Sequence, residues 1–381
     1  MAGNATFPAL LPEFQAVWSL TSTEAGWING IYYAGYIAAV PVLVTLTDRM
    51  SARVIYIASA SVGSLAALGF AAFADSVAWA IFFRVLGGVG LAGTYMVGLR
   101  LLTDCLSGDW QARGISWYTA TFALGVAASV FLAGELAALG GWRLSYAVAG
   151  ALTFGAVILI AIAPKGSPGP RATTGGALDL RPALRNRESL AYNIGYALHI
   201  WELFGWRSWI VAFLVFVLAA QGQSSFLGLT ATQAASVLLM LGLPASVLGN
   251  EAALKYGRRP VIAVFMLLSG GLILLFGFGT QWPFWLLAVL LVAHSVFVMA
   301  DSSALTAGAV LSAQPERKGA TMAVHALLGF GVGIFSPLAF GVVLDFGGGA
   351  ENAVAWALSF SLLSVAPLVA PILLYRLRGE H

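Results

Sequence analysis

Eleven long apolar stretches, each bounded by charges, glycine or proline, run along the chain at roughly 24–47, 53–74, 77–103, 112–138, 142–163, 189–218, 230–254, 259–279, 282–312, 319–344 and 353–375. An α-helix needs about 20 mostly apolar residues to cross a bilayer, and each stretch meets that need. Within them the apolar positions are continuous. Barrel strands instead alternate apolar and polar over about ten residues, so a transmembrane β-barrel is excluded and an all-α integral membrane fold is expected. The long polar stretch Lys165–Glu188 (KGSPGPRATTGGALDLRPALRNRE) is too rich in Pro, Gly and Arg to enter lipid. It divides the chain into an N-terminal helical bundle (1–164), a linker (165–188) and a C-terminal six-helix bundle (189–381). Met1–Trp18 (MAGNATFPALLPEFQAVW) is neither a signal peptide nor long enough to span. It reads as the outer half of a first helix, which implies a start upstream of Met1 or a trimmed chain, and a complete plan of six helices, linker and six helices.

Composition sharpens this picture. Of 381 residues, 60% are hydrophobic and 9% charged, against about 25% charged in soluble domains. A soluble enzyme, a disordered chain and a nucleic-acid binder are excluded, despite a pI of 9.1. Placing Lys165–Glu188 in the cytoplasm and alternating the loops puts 16 of the 19 Lys and Arg residues on that side. By the positive-inside rule the linker and C-terminus are cytoplasmic, in a multi-pass protein of the cell (inner or plasma) membrane. Arg143 remains outside, and Arg84 and Arg207 lie within spans. A single cysteine, Cys105, excludes an internal disulfide and any multi-cysteine metal site. No P-loop, His-x-x-x-His or Gly-x-Ser-x-Gly arrangement occurs. The expectation is therefore a non-enzyme without cofactor or metal, acting as a monomer.

Ionisable groups at membrane depth are costly and mark candidate sites. Stretch 189–218 places Asn193, Tyr196, His199, Glu202 and Arg207 in one apolar run. Tyr196, His199 and Glu202 recur every three residues and so share a helical face, which Trp206 extends. Gly205 is a candidate helix break. The bland alternative is a Glu202–Arg207 ion pair that only pins helices together. Stretch 77–103 holds Arg84, then Thr94 and Tyr95. Stretch 282–312 holds His294 and, about 10 Å further along the helix, Asp301, whose alternative is a hydrogen bond to His325 or Ser302. Stretch 319–344 is studded with glycine, contains Pro337, and offers His325 as a gate residue.

The loop PVLVTLTDRMSAR (Pro41–Arg53) resembles the signature loop of the major facilitator superfamily through Asp48, Arg49 and Arg53. Gly257, Arg258 and Arg259 repeat part of it after the second span of the other half, as two homologous bundles would. RVLGGVG (Arg84–Gly90) and GWR (Gly141–Arg143) resemble further motifs of that family. The resemblance implies two six-helix bundles, a latch in the signature loops, a cavity lined by the helices that carry Arg84, Glu202 and Asp301, and a link between Arg84 and proton coupling. It leads to a secondary transporter that moves a small polar, anionic metabolite together with protons by alternating access. Arg84 and Arg207 would supply the positive charge. Tyr95, Tyr196, Trp201 and Trp206 would shape the cavity, and Glu202, Asp301, His199, His294 or His325 would carry the proton. Proton-driven efflux of hydrophobic or cationic compounds is the rival, weakened because Ala123–Gly141 lacks the Gly-Pro pair usual in family exporters. A sensor on a transporter scaffold is a more distant one. The partners expected are a small-molecule substrate, protons and the lipid bilayer.

Overall fold

Apolar runs fold as helices because lipid offers no partner for backbone N–H and C=O groups, so each segment must satisfy its own. The computed structural model describes residues 3–47, 49–106, 109–163, 180–279, 282–314 and 318–377. Met1, Asp48 and most of Lys165–Glu188 lie outside the described residues. The helices are α1 (Thr6–Ala9), α2 (Leu11–Trp18), α3 (Ser22–Leu46), α4 (Ala52–Phe73), α5 (Val77–Cys105), α6 (Asp109–Ile162), α7 (Arg181–Arg185), α8 (Arg187–Ala220), α9 (Ala231–Met240), α10 (Gly242–Tyr256), α11 (Arg258–Phe276), α12 (Phe284–Ala300), α13 (Ser302–Leu311), α14 (Lys318–Phe346) and α15 (Ala353–Arg376).

Among the described residues, nine helices are long and apolar enough to cross a membrane, and no strand forms. One of the nine, Thr121–Ile162, contains a break and covers two of the eleven stretches read from the sequence. The break falls at Gly140 and Gly141. Gly141 has φ 71°, a left-handed conformation open to glycine at little cost, and the next amide, Trp142 N–H, donates to Glu13 Oε1 at 3.2 Å. Large apolar side chains such as Leu65, Phe73, Leu159, Leu248 and Leu311 stand exposed on the outer faces, as suits helices solvated by lipid. The protein is a multi-pass membrane protein.

The chain forms two compact units: Met1–Ser19 with Ile31–Gly175, and Leu20–Gly30 with Gly176–His381. In the first, α4 packs along α5 and α6. In the second, α8 lies against α13, α14 and α15, and α11 against α12 and α15. Helix α8 is the most enclosed of the nine spans, which places its polar face inside the unit. The start of α3 also belongs to the second unit. Gly26 and Gly30 bring it so near α14 that a Cβ on either would overlap the carbonyl of Pro337 or Ile334. Ser22 N–H and Thr23 N–H donate to Asp345 at 2.9 and 2.7 Å, and Thr23 Oγ1 donates at 2.6 Å.

One expected feature differs. Helix α8 runs unbroken through Gly205, where a Cβ would overlap Leu363 and Ser336. Helices α12 and α13 meet at Asp301, whose backbone stays in the right-handed helical region with φ −86° and ψ −19°.

Candidate functional site

The buried polar groups of the second unit are organised by α8. His199 and Glu202 are one turn apart and face His294 of α12 and Asp301, the residue that follows α12, seven residues further along. His199 Nδ1 is 2.9 Å from Asp301 Oδ1, and His294 Nε2 is 3.0 Å from Glu202 Oε1. All four residues are at most 2% exposed. Ser269 of α11 donates its hydroxyl to Glu202 Oε2 at 2.9 Å, so each carboxylate oxygen of Glu202 has a partner. The other ring nitrogens, His199 Nε2 and His294 Nδ1, are buried and bonded to no group among the described residues. Trp206 and Phe276 meet the His294 ring edge-on at 4.8 and 5.2 Å between centroids, giving that pair an apolar wall.

The two contacts differ: His294 Nε2 and Glu202 Oε1 share a hydrogen bond, whereas Asp301 Oδ1 lies near His199 Nδ1 without a hydrogen-bond partner among the described residues.

His325 makes a third polar station. Its Nδ1 is 3.0 Å from Asn193 Oδ1 and its Nε2 3.3 Å from Thr306 Oγ1. Tyr196 stacks on the His325 ring at 3.7 Å and lies 5.9 Å from that of His199. The hydrogen bond proposed from sequence between Asp301 and either His325 or Ser302 gives way to the His199 contact. Arg207 is half-buried, with Nη2 3.5 Å from Met299 Sδ. Trp201 Nε1 donates to Leu362 O at 3.4 Å, and Ser336 Oγ donates to Trp201 O.

The first unit holds a different site. Arg84 of α5 is 3% exposed, donates from Nη1 to Asn4 O at 3.3 Å, and lies 4.2 Å from the centre of the Tyr32 ring and 5.7 Å from that of Phe7. A cation over an aromatic face is held by the ring quadrupole. Arg84 and Tyr32 line a cavity of about 60 Å³ within this unit. Tyr146, also on its wall, is 3% exposed and has no hydrogen-bond partner for its hydroxyl among the described residues. Tyr95 is stacked on Tyr118 at 5.7 Å and does not line this cavity.

Of the loop-motif residues, Arg49 is exposed and Arg53 donates to Ala161 O at 2.7 Å. Gly257 turns the chain with φ 92°. Arg258 donates to Asn250 Oδ1 at 3.1 Å, and Arg259 pairs with Glu188 at 2.9 Å. Ser269 and Tyr146 were not among the candidates read from sequence. A lone hydroxyl in an apolar run carries no periodic signal.

A helical membrane protein in two units, with buried acid–imidazole pairs in one and a buried arginine in the other, has the features of a transporter fold. The pattern of the Major Facilitator Superfamily matches residues 1–249, and the chain belongs to that family. It is 24% identical over 151 residues to the niacin transporter NiaP of Acinetobacter baylyi, covering 40% of this chain and 34% of that protein. It is 21% identical over 202 residues to protein spinster homolog 1 of Xenopus laevis, covering 50% and 38%. The matches thus span about a third of the length of these curated relatives. Among solved structures, it is similar to an inward-facing, occupied bacterial homolog of the human lysosomal transporter Spinster, with TM-score 0.80, 15% identity, and 99% and 93% of the two chains covered. It is also similar to a mutant of the nucleoside transporter NupG, with TM-score 0.77, 14% identity, and 99% and 96% covered. The family and fold point to a non-enzyme.

Proposed function

We propose that the protein is a secondary transporter that moves a small anionic metabolite by alternating access and couples it to protons. It would do so as a monomer in the cell membrane, with linker and C-terminus cytoplasmic. The observation that supports the reading is the pair of buried imidazole–carboxylate contacts, His199–Asp301 and His294–Glu202, at membrane depth. Anion recognition falls to Arg84 and Arg207, whose guanidinium groups match a carboxylate's two oxygens. The niacin transporter among the relatives is named for a small organic acid, which agrees with that choice.

Export of cationic compounds drawn by Glu202 and Asp301 has less support, because each carboxylate already faces an imidazole. The deciding experiment is uptake of radiolabelled carboxylates by the protein in liposomes, with and without an inward proton gradient. Accumulation that follows the gradient, and is lost in Glu202→Gln, is the expected result. Uptake indifferent to the gradient removes proton coupling. Binding without flux makes the protein a sensor.

A further inference from the structure

Glu202 is held at both oxygens, Oε1 by His294 Nε2 at 3.0 Å and Oε2 by Ser269 Oγ at 2.9 Å. An ionised carboxylate only accepts, so both partners donate to it. The hydrogen of a neutral His294 therefore sits on Nε2, and Nδ1 is the bare ring nitrogen. Nδ1 is buried and has no hydrogen-bond partner among the described residues, and Trp206 and Phe276 meet the ring edge-on. A further proton on Nδ1 would make an N–H with no acceptor beside an apolar wall, which is costly.

The other end of the pair is built differently. Ser269 Oγ is 2.9 Å from Glu202 Oε2 and 3.2 Å from Met266 O, three residues back in α11. A hydroxyl has one hydrogen and two lone pairs, so it serves one of these acceptors at a time. With Glu202 ionised, the hydrogen points to Oε2. When a proton binds Oε2 and the O–H bond of the acid forms, Ser269 can turn its own hydrogen to Met266 O and accept from the new O–H. Oε1 keeps its bond from His294 throughout, and the pair passes from net charge −1 to zero with both carboxyl oxygens still partnered. Among the described residues, the other titratable groups on the helices packed against α8 are Asp301, beside His199, and His325 of α14, between Asn193 and Thr306; the rest stand at helix ends.

We infer that Glu202 Oε2 is the atom that takes the coupling proton, and that Ser269 is its positioning residue through a hydroxyl that turns between Oε2 and Met266 O. The inference rests on the proton-coupled reading above and assigns the proton of the His294–Glu202 pair to one atom.

The test is infrared difference spectroscopy of the full chain in nanodiscs between neutral and acid pH, read at the carboxylic-acid C=O stretch. A band that is lost in Glu202→Gln is expected, and it should move in frequency in Ser269→Ala, which removes the hydroxyl and adds no bulk. Ser269→Thr keeps a hydroxyl that can reach the carbonyl three residues back and should restore the band; Ser269→Cys, of similar size and with a weak S–H donor, should fall between. In liposomes, Ser269→Ala should exchange substrate at equal concentrations as before and accumulate it several-fold less under a proton gradient. Absence of a band that depends on Glu202 overturns the inference, because the proton then goes elsewhere, and so does a band in Ser269→Ala at the unmodified frequency. In either case accumulation that follows the gradient would leave the transport reading standing. If the band behaves as expected while uptake by the unmodified protein ignores the gradient, the coupling role falls with that reading.

Discussion

The two units solve the problem of charge in lipid in opposite ways. The first keeps a fixed cation, Arg84, laid over the Tyr32 ring on a cavity wall. The second keeps its carboxylates against imidazoles, His199–Asp301 and His294–Glu202, in groups sealed by packing. On the function proposed above, a guanidinium, which stays protonated at every physiological pH, would serve the anion, and the imidazole–carboxylate pairs would serve the proton. The division predicts separable effects: substitutions in the second unit alter proton dependence, and substitutions in the first alter substrate affinity.

The largest effect is expected at the second unit's deepest pair. Replacing His294 by Ala leaves Glu202 with Ser269 as its remaining named partner, and breaking a buried pair in this way costs about 3–5 kcal/mol. A thermal melt in detergent should show a large loss. Glu202→Gln is the gentler cut. It keeps an acceptor for Ser269 and removes the titrating group, so the protein should fold, exchange substrate across the membrane at equal concentrations, and fail to accumulate it against a gradient. Proton-driven accumulation by Glu202→Gln at the unmodified level would break the comparison.

A smaller effect is expected at Arg84. Arg84→Lys keeps the charge and loses the planar stacking on Tyr32, at a cost of about 1–2 kcal/mol in stability. Its KM for the anion should rise several-fold, while the pH dependence of uptake stays where it was. A shift of the pH profile in Arg84→Lys would mean that the arginine belongs to the proton path after all.

Much of this arrangement is legible in the sequence, and the part that is not has a physical reason. The runs of apolar residues give the helices, because lipid leaves a chain few other choices. The turn at Gly140–Gly141 shows itself as a glycine pair before Trp142. The polar face of α8 follows from the spacing of Tyr196, His199 and Glu202. Partners are harder to read. Arg207 is the nearest cation to Glu202 along the chain, yet five residues turn a helix by about 140° away from the starting face. The partner that Glu202 finds, His294, is 92 residues away. Asp301 likewise passes over Ser302 beside it and meets His199. One signal was present: a histidine and an acid share a face in α8, and again in α12 and the residue that joins it to α13. Matching these as two rungs would have proposed the pairs. Ser269 and Tyr146 offered no comparable sign, since their roles depend on which helix lies opposite.

Asp345 gives the smallest expected effect and the sharpest control. It is a carboxylate of the second unit, like Glu202 and Asp301, but its partners are the amides of Ser22 and Thr23 and the Thr23 hydroxyl. This carboxylate caps the start of α3, and none of its partners among the described residues is an imidazole. Asp345→Asn retains one acceptor oxygen and puts an NH₂ group where the other stood, which should cost about 1–2 kcal/mol, as the loss of a helix cap does. Faster hydrogen exchange at the amides of Ser22 and Thr23 would report the loosened cap. On the proposed function the proton dependence of uptake should not move, because that reading gives the proton to the carboxylates that face an imidazole. A change in proton coupling in Asp345→Asn, as large as in Glu202→Gln, would show that charge alone matters and that the imidazole partners do not.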